Sequence, residues 1–153
     1  MARERRFVGV SMKNLSLSGV VVVAFLVGAN STHAADNKCS LASLRGSYAV
    51  YGQGNVFVGS AQQAQEVDVG LTNFDGHGNL SGFSTFSLNG KIIRTRFVGS
   101  YLVNSDCSTT AVVKDDIGEV LHEEGIILDG GSEIRFIETD PGAVIARVAR
   151  RLE

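Results

Sequence analysis

The 153 residues contain no tryptophan, a single proline (Pro141) and only two cysteines, Cys39 and Cys107. Two cysteines without CxxC spacing make a poor zinc site. Runs of like charge are missing, which excludes a charged binding tail. The longest apolar run, residues 20–27 (VVVVAFLV), is much shorter than the roughly 20 residues a membrane-spanning helix needs. Helical periodicity of apolar residues is absent, apart from room for one short turn at 40–45 (SLASLR). So are a Gly-rich phosphate loop opening a helix and a Ser-His-Asp or Cys-His constellation. In residues 122–126 (HEEGI), Ile126 stands where an HExxH zinc motif has its second histidine.

What is present begins with a targeting pattern. Arg3, Arg5, Arg6 and Lys13 precede the apolar run, and Thr32-His33-Ala34 offers small residues at the positions signal peptidase reads. This order predicts a secretory signal peptide over 1–34, cleaved after Ala34, with translation starting at Met1 or Met12. The remaining 119 residues suffice for one domain with one core. They carry ten basic against fifteen acidic residues, a net charge of −5 that argues against nucleic acid and anionic membrane surfaces. An even cysteine count in an exported chain predicts a Cys39–Cys107 disulfide, the alternative being two free thiols.

Turn signals recur at short intervals: Asp75-Gly76-His77-Gly78-Asn79, Asn89-Gly90, Asn104-Ser105-Asp106, Asp115-Asp116-Ile117-Gly118, Asp129-Gly130-Gly131 and Asp140-Pro141-Gly142. Such pairs supply the positive φ of tight hairpins. Between them lie segments rich in Val, Ile, Thr, Tyr and Phe, predicting strands over 46–58, 65–74, 79–89, 91–103, 107–114, 119–128, 132–139 and 143–152. Residues 60–65 (SAQQAQ) read as a polar connector. Eight sequential strands with short hairpins predict an all-β fold, an antiparallel up-and-down barrel over 46–153 after a lead-in at 35–45, in preference to a sandwich.

The combination of LRGSY (44–48), FDGHGNLSG (74–82), GSYLVNSDCS (99–108), DGG (129–131) and FIETDPG (136–142) resembles a group of short exported bacterial proteins of uncharacterised function. More distantly the chain is similar to the eight-stranded barrels of allene oxide cyclase, dirigent proteins and lipocalins. Gly46-Ser47-Tyr48 stands where lipocalins open with Gly-x-Trp, so tyrosine replaces the tryptophan. The resemblance implies a small closed barrel, and a cyclase or isomerase as one possible activity. It places no catalytic residue on this chain.

Candidate residues follow from alternation along strands. The interior of such a barrel holds either its own side chains or one small ligand. The expected lining is Tyr48, Phe86, Phe97, Tyr101 and Phe136, with Tyr51, Phe57, Phe74 and Phe83 as further aromatics. Ile93, Thr95, Phe97 and Tyr101 share the inward face of their strand, leaving Arg94 and Arg96 outside. Residues 119–128 mix charge and apolar groups on both faces; if His122 and Glu124 point inward, they form an acid/base pair. Glu138 shares the face of Ile134 and Phe136, and inside a barrel it needs a partner. Arg147 and Arg151 alternate away from Val144, Ala146 and Val148 and are expected outside, where they argue against a membrane barrel. Asp75-Gly76-His77-Gly78-Asn79 lacks the downstream carboxylate of a calcium loop and reads as a hairpin turn. No metal or cofactor is expected. The anticipated role is binding of a small apolar molecule or a protein partner, or else catalysis by His122, Glu124 and Glu138 in the barrel.

Overall fold

The computed structural model describes residues 38–58 and 62–153. The predicted signal peptide, the cleavage site at Ala34, residue 59 and residues 60–61 of the connector lie outside the described residues. After a 3₁₀ turn at Leu41–Ser43 come β1 (Arg45–Val58), β2 (Gln62–Asp75), β3 (Asn79–Leu88), β4 (Lys91–Val103), β5 (Ser108–Asp115), β6 (Val120–Leu128), β7 (Glu133–Glu138) and β8 (Ala143–Arg151). Each strand pairs antiparallel with the next, and β8 returns to β1, so the sheet is a closed up-and-down barrel. Closure removes the exposed strand edges that an open meander would leave.

The turns behave as their residues require. Gly76 and Gly78 take positive φ, and Asp75 Oδ1 accepts the backbone N–H of His77 and of Asn79. The Asn79 side-chain amide and those two N–H groups hold the Asp75 carboxyl down to about 2. The connector departs from expectation. Gln62–Gln65 belong to β2, because β1 and β2 stay in register from Arg45↔Asp75 to Val58↔Gln62, and the glutamines are carried on the ladder rather than in a loop.

One end of the barrel is plugged. Cys39 and Cys107 form the expected disulfide, with Cα atoms 4.9 Å apart, tying the lead-in to the β4–β5 turn. The Tyr101 hydroxyl lies 3.1 Å from the Leu41 carbonyl and 3.0 Å from that of Leu44. Leu44, Tyr48, Leu80, Tyr101, Ile127, Ile134 and Ala149 form the packed core there. Phe74 stacks edge-on between Tyr48 and Tyr101, with ring centroids 5.2 and 5.1 Å away. The Tyr48 hydroxyl donates to the Gly131 carbonyl and accepts from Arg151 Nε at 3.0 Å. Arg151 thus folds across the plugged end; it is not a plain outward charge as its alternation suggested.

Candidate functional site

Above the plug the barrel encloses a cavity of about 390 Å³, inside the ~300–1,000 Å³ range of small-molecule sites. It runs from Leu44 and Leu80 at the plugged end to Leu88, Ile117 and Glu119 at the opposite rim. Most of its wall is apolar, with Val50, Phe74, Phe86, Ile93, Phe97, Tyr101, Leu121 and Phe136 among the lining side chains. Strand β4 alternates as expected: Thr95 and Tyr101 are buried, while Arg94 and Arg96 are exposed.

One wall is charged. Arg147 on β8 points inward and is only 8% exposed. Its Nη2 lies 3.2 Å from Glu66 Oε1 and its Nε 3.2 Å from Asp68 Oδ1, both on β2. Its Nη1 lies 3.3 Å from Glu123 Oε1 on β6 and 3.3 Å from Glu138 Oε2 on β7. Glu123 and Glu138 are register partners, which brings them to the same guanidinium nitrogen. Strand β1 stands between Arg147 and Asp68 and presents Gly52, the register partner of both. A Cβ on Gly52 would overlap the Asp68 carboxylate and sit 2.5 Å from Arg147 Cγ.

Four carboxylates face one cation, so full ionisation would leave three uncompensated negative charges inside the barrel. Burial resists this. Desolvation pushes Glu123 up to about 7 against the pull of Arg147, helped by Glu138 and Asp68. Burial likewise raises Glu66 and Glu138, again opposed by Arg147. For Arg147 burial alone would lower the pKa, but the four carboxylates outweigh it and hold the group above its ordinary value. Each carboxylate gives one oxygen to Arg147; the other oxygen of each makes no hydrogen bond among the described residues. No three of these groups converge as a metal ion would require among the described residues.

Thr95 sits on β4, four strands from β8 and therefore across the barrel. Thr95 and Thr72 are more than nine-tenths buried and line the cavity. Neither hydroxyl makes a hydrogen bond among the described residues, and neither oxygen is sealed off from open space.

Phe86, Phe97, Tyr101 and Phe136 line the cavity as anticipated, whereas Tyr48 is fully buried within the plug. Tyr51, Phe57 and Phe83 are about half exposed and lie outside. Their parity is set by Tyr48 in β1 and Leu80 in β3, which the plug draws inward. His122 and Glu124 are exposed and do not form an interior pair. His122 Nδ1 meets Asp140 at 2.8 Å on the outer surface, and the inward carboxylate of β6 is Glu123. Buried Ile127 decides this face, because period two carries it to Glu123 and not to its neighbours. Glu138 is inward, with Arg147 as the partner it needed. Arg147 is therefore the reverse of its expected placement: Val144 is exposed while Ile145 and Ala149 are buried. Glu66, Asp68, Glu123, Thr72 and Thr95 were not singled out as site residues by sequence. The available signal was inverted alternation, with Glu66 and Asp68 inside and Val67 and Val69 outside. The chain matches no family model and no curated protein.

Proposed function

We propose that this is an exported barrel, periplasmic or secreted, that holds one small, mostly apolar molecule in its interior. The observation that carries the reading is the cavity of about 390 Å³ with aromatic walls and a few convergent polar groups, the usual make-up of a small-molecule site. A barrel meant only to fill itself would close this space with side chains. Export is supported by the basic start, apolar run and Thr32-His33-Ala34, and by the Cys39–Cys107 bridge, which suits an oxidising compartment. Among the described residues no helix is long and apolar enough to cross a membrane. Against a membrane barrel stand Arg94, Arg96, Lys114 and Arg150, exposed on the outer face of β4, β5 and β8.

The second reading is a cyclase or isomerase, as the resemblance to allene oxide cyclase implies. One observation favours it: Glu123, held at about 7, could exchange a proton with a bound molecule at neutral pH. His122 and Glu124 have no part in that reading, being outside. Native mass spectrometry of the protein purified from its own host tests binding directly. A retained small molecule, lost on denaturation, is the expected result.

A further inference from the structure

We infer that the molecule held in the cavity is an organic cation, an apolar body carrying a protonated amine, whose ammonium group docks on the carboxylates around Arg147. This deepens the proposed binding function and rests on it. The carboxylates of Glu66, Asp68, Glu123 and Glu138 have four oxygens left over after serving Arg147, and no donor among the described residues meets them. In their ionised form these carboxylates make every group on that wall except the guanidinium an acceptor, with a net negative charge, and a bound cation favours that form. A ligand matching it brings N–H donors and positive charge together. A bare divalent ion does not suit the wall, because the guanidinium holds the centre of the cluster and no three carboxylates converge.

A second, independent observation points to a ligand in the same space. Thr95, 6% exposed and across the barrel from β8, aims an unpartnered hydroxyl into the cavity. Open to the cavity and without a partner among the described residues, that hydroxyl is free to pair with a ligand atom. Between the two polar walls the lining is aromatic and aliphatic, which selects an apolar body. The cavity thus has acceptors at one wall, a hydroxyl at the other and hydrocarbon between.

Isothermal titration of the oxidised protein with octylamine, octanol and octanoate separates the possibilities, since the three share a chain and differ in charge. One-to-one binding of octylamine, about tenfold or more tighter than octanol, is expected from one charge-assisted contact in a buried site. Octanoate should bind most weakly. Equal affinities for octylamine and octanol, or preference for octanoate, would overturn the cation assignment and leave the cavity reading standing. Absence of binding by all three would overturn both. Glu138→Gln, checked for an intact barrel by circular dichroism, should weaken octylamine several-fold and leave octanol unchanged. If that variant does not fold, Glu123→Gln serves the same comparison. Unaltered octylamine binding in a folded variant would also refute the assignment.

Discussion

Arg147 reaches Asp68 across β1, its Nε 3.2 Å from Oδ1, because the residue between them is Gly52. Three neighbouring strands thus contribute a cation, a gap and a carboxylate at one level of the barrel. Gly52→Ala should break this arrangement. The new methyl group would overlap the Asp68 carboxylate and crowd Arg147, and overpacking of this kind costs roughly 1–3 kcal/mol. Urea denaturation measures it; a loss below about 0.5 kcal/mol, the range of an ordinary surface change, would mean the pair does not close over Gly52.

Arg147→Met should be far more damaging at neutral pH than at low pH. Removing one member of a buried ion cluster typically costs about 3–5 kcal/mol because the remaining charges are uncompensated. Here the remaining charges are carboxylates, so protonation relieves them. Thermal melts at pH 5 and pH 8 should show the variant approaching wild type at the lower pH. An equal deficit at both would assign the loss to packing alone.

Wild-type stability should itself fall between pH 5 and pH 8. Glu123 has an ordinary value of 4.5 in the unfolded chain and about 7 in the barrel. Between these values the folded chain keeps a proton that the unfolded chain releases, so this contribution is full below about 4.5 and is lost as pH rises through about 7. It amounts to at most about 3 kcal/mol. Burial gives Glu66 and Glu138 the same sign. Asp106, Glu133 and Asp140 are lowered, so their contribution fades only as pH falls below the ordinary carboxylate range. Glu123→Gln should flatten the decline. A wild-type curve rising from pH 5 to pH 8 would contradict the raised pKa.

The plug depends on Cys39–Cys107, which closes a loop of 68 residues' separation. Chain-entropy reasoning gives such a bridge about 4 kcal/mol. Reduction should lower the melting temperature and open the plugged end, seen as faster amide exchange of Leu44 and Tyr101. Unchanged exchange on reduction would mean the Tyr101 hydroxyl alone holds the lead-in.

The barrel was legible in the sequence because its signals are local. Asn89-Gly90 and Asp75-Gly76 mark hairpins, and the predicted 91–103 strand matches Lys91–Val103. The orientation of β4 was legible too, since only one of its faces holds Arg94 and Arg96. The charged wall was not. Its members come from β2, β6, β7 and β8; β7 alone offers Glu138 beside Ile134 and Phe136, β6 mixes charge and apolar groups on both faces, and β2 and β8 taken alone make the opposite choice look better. Val144, Ala146 and Val148 outrank Arg147 as an inward face until the carboxylates that receive it are known. Val67 and Val69 outrank Glu66 and Asp68 in the same way. Only pairing across the closed sheet shows that the two anomalies compensate, with Gly52 giving them room.

The central claim, that the interior is a binding cavity, is tested most directly by titration with the fluorescent apolar probe N-phenyl-1-naphthylamine. Ser84 points into the cavity near Thr95, its register partner on β4. Ser84→Phe should therefore fill part of the space. The wild-type protein should bind one probe saturably with enhanced emission, and Ser84→Phe, folded by circular dichroism, should bind it much more weakly. Absence of saturable binding to the wild type, or equal binding by the filled variant, would contradict the account.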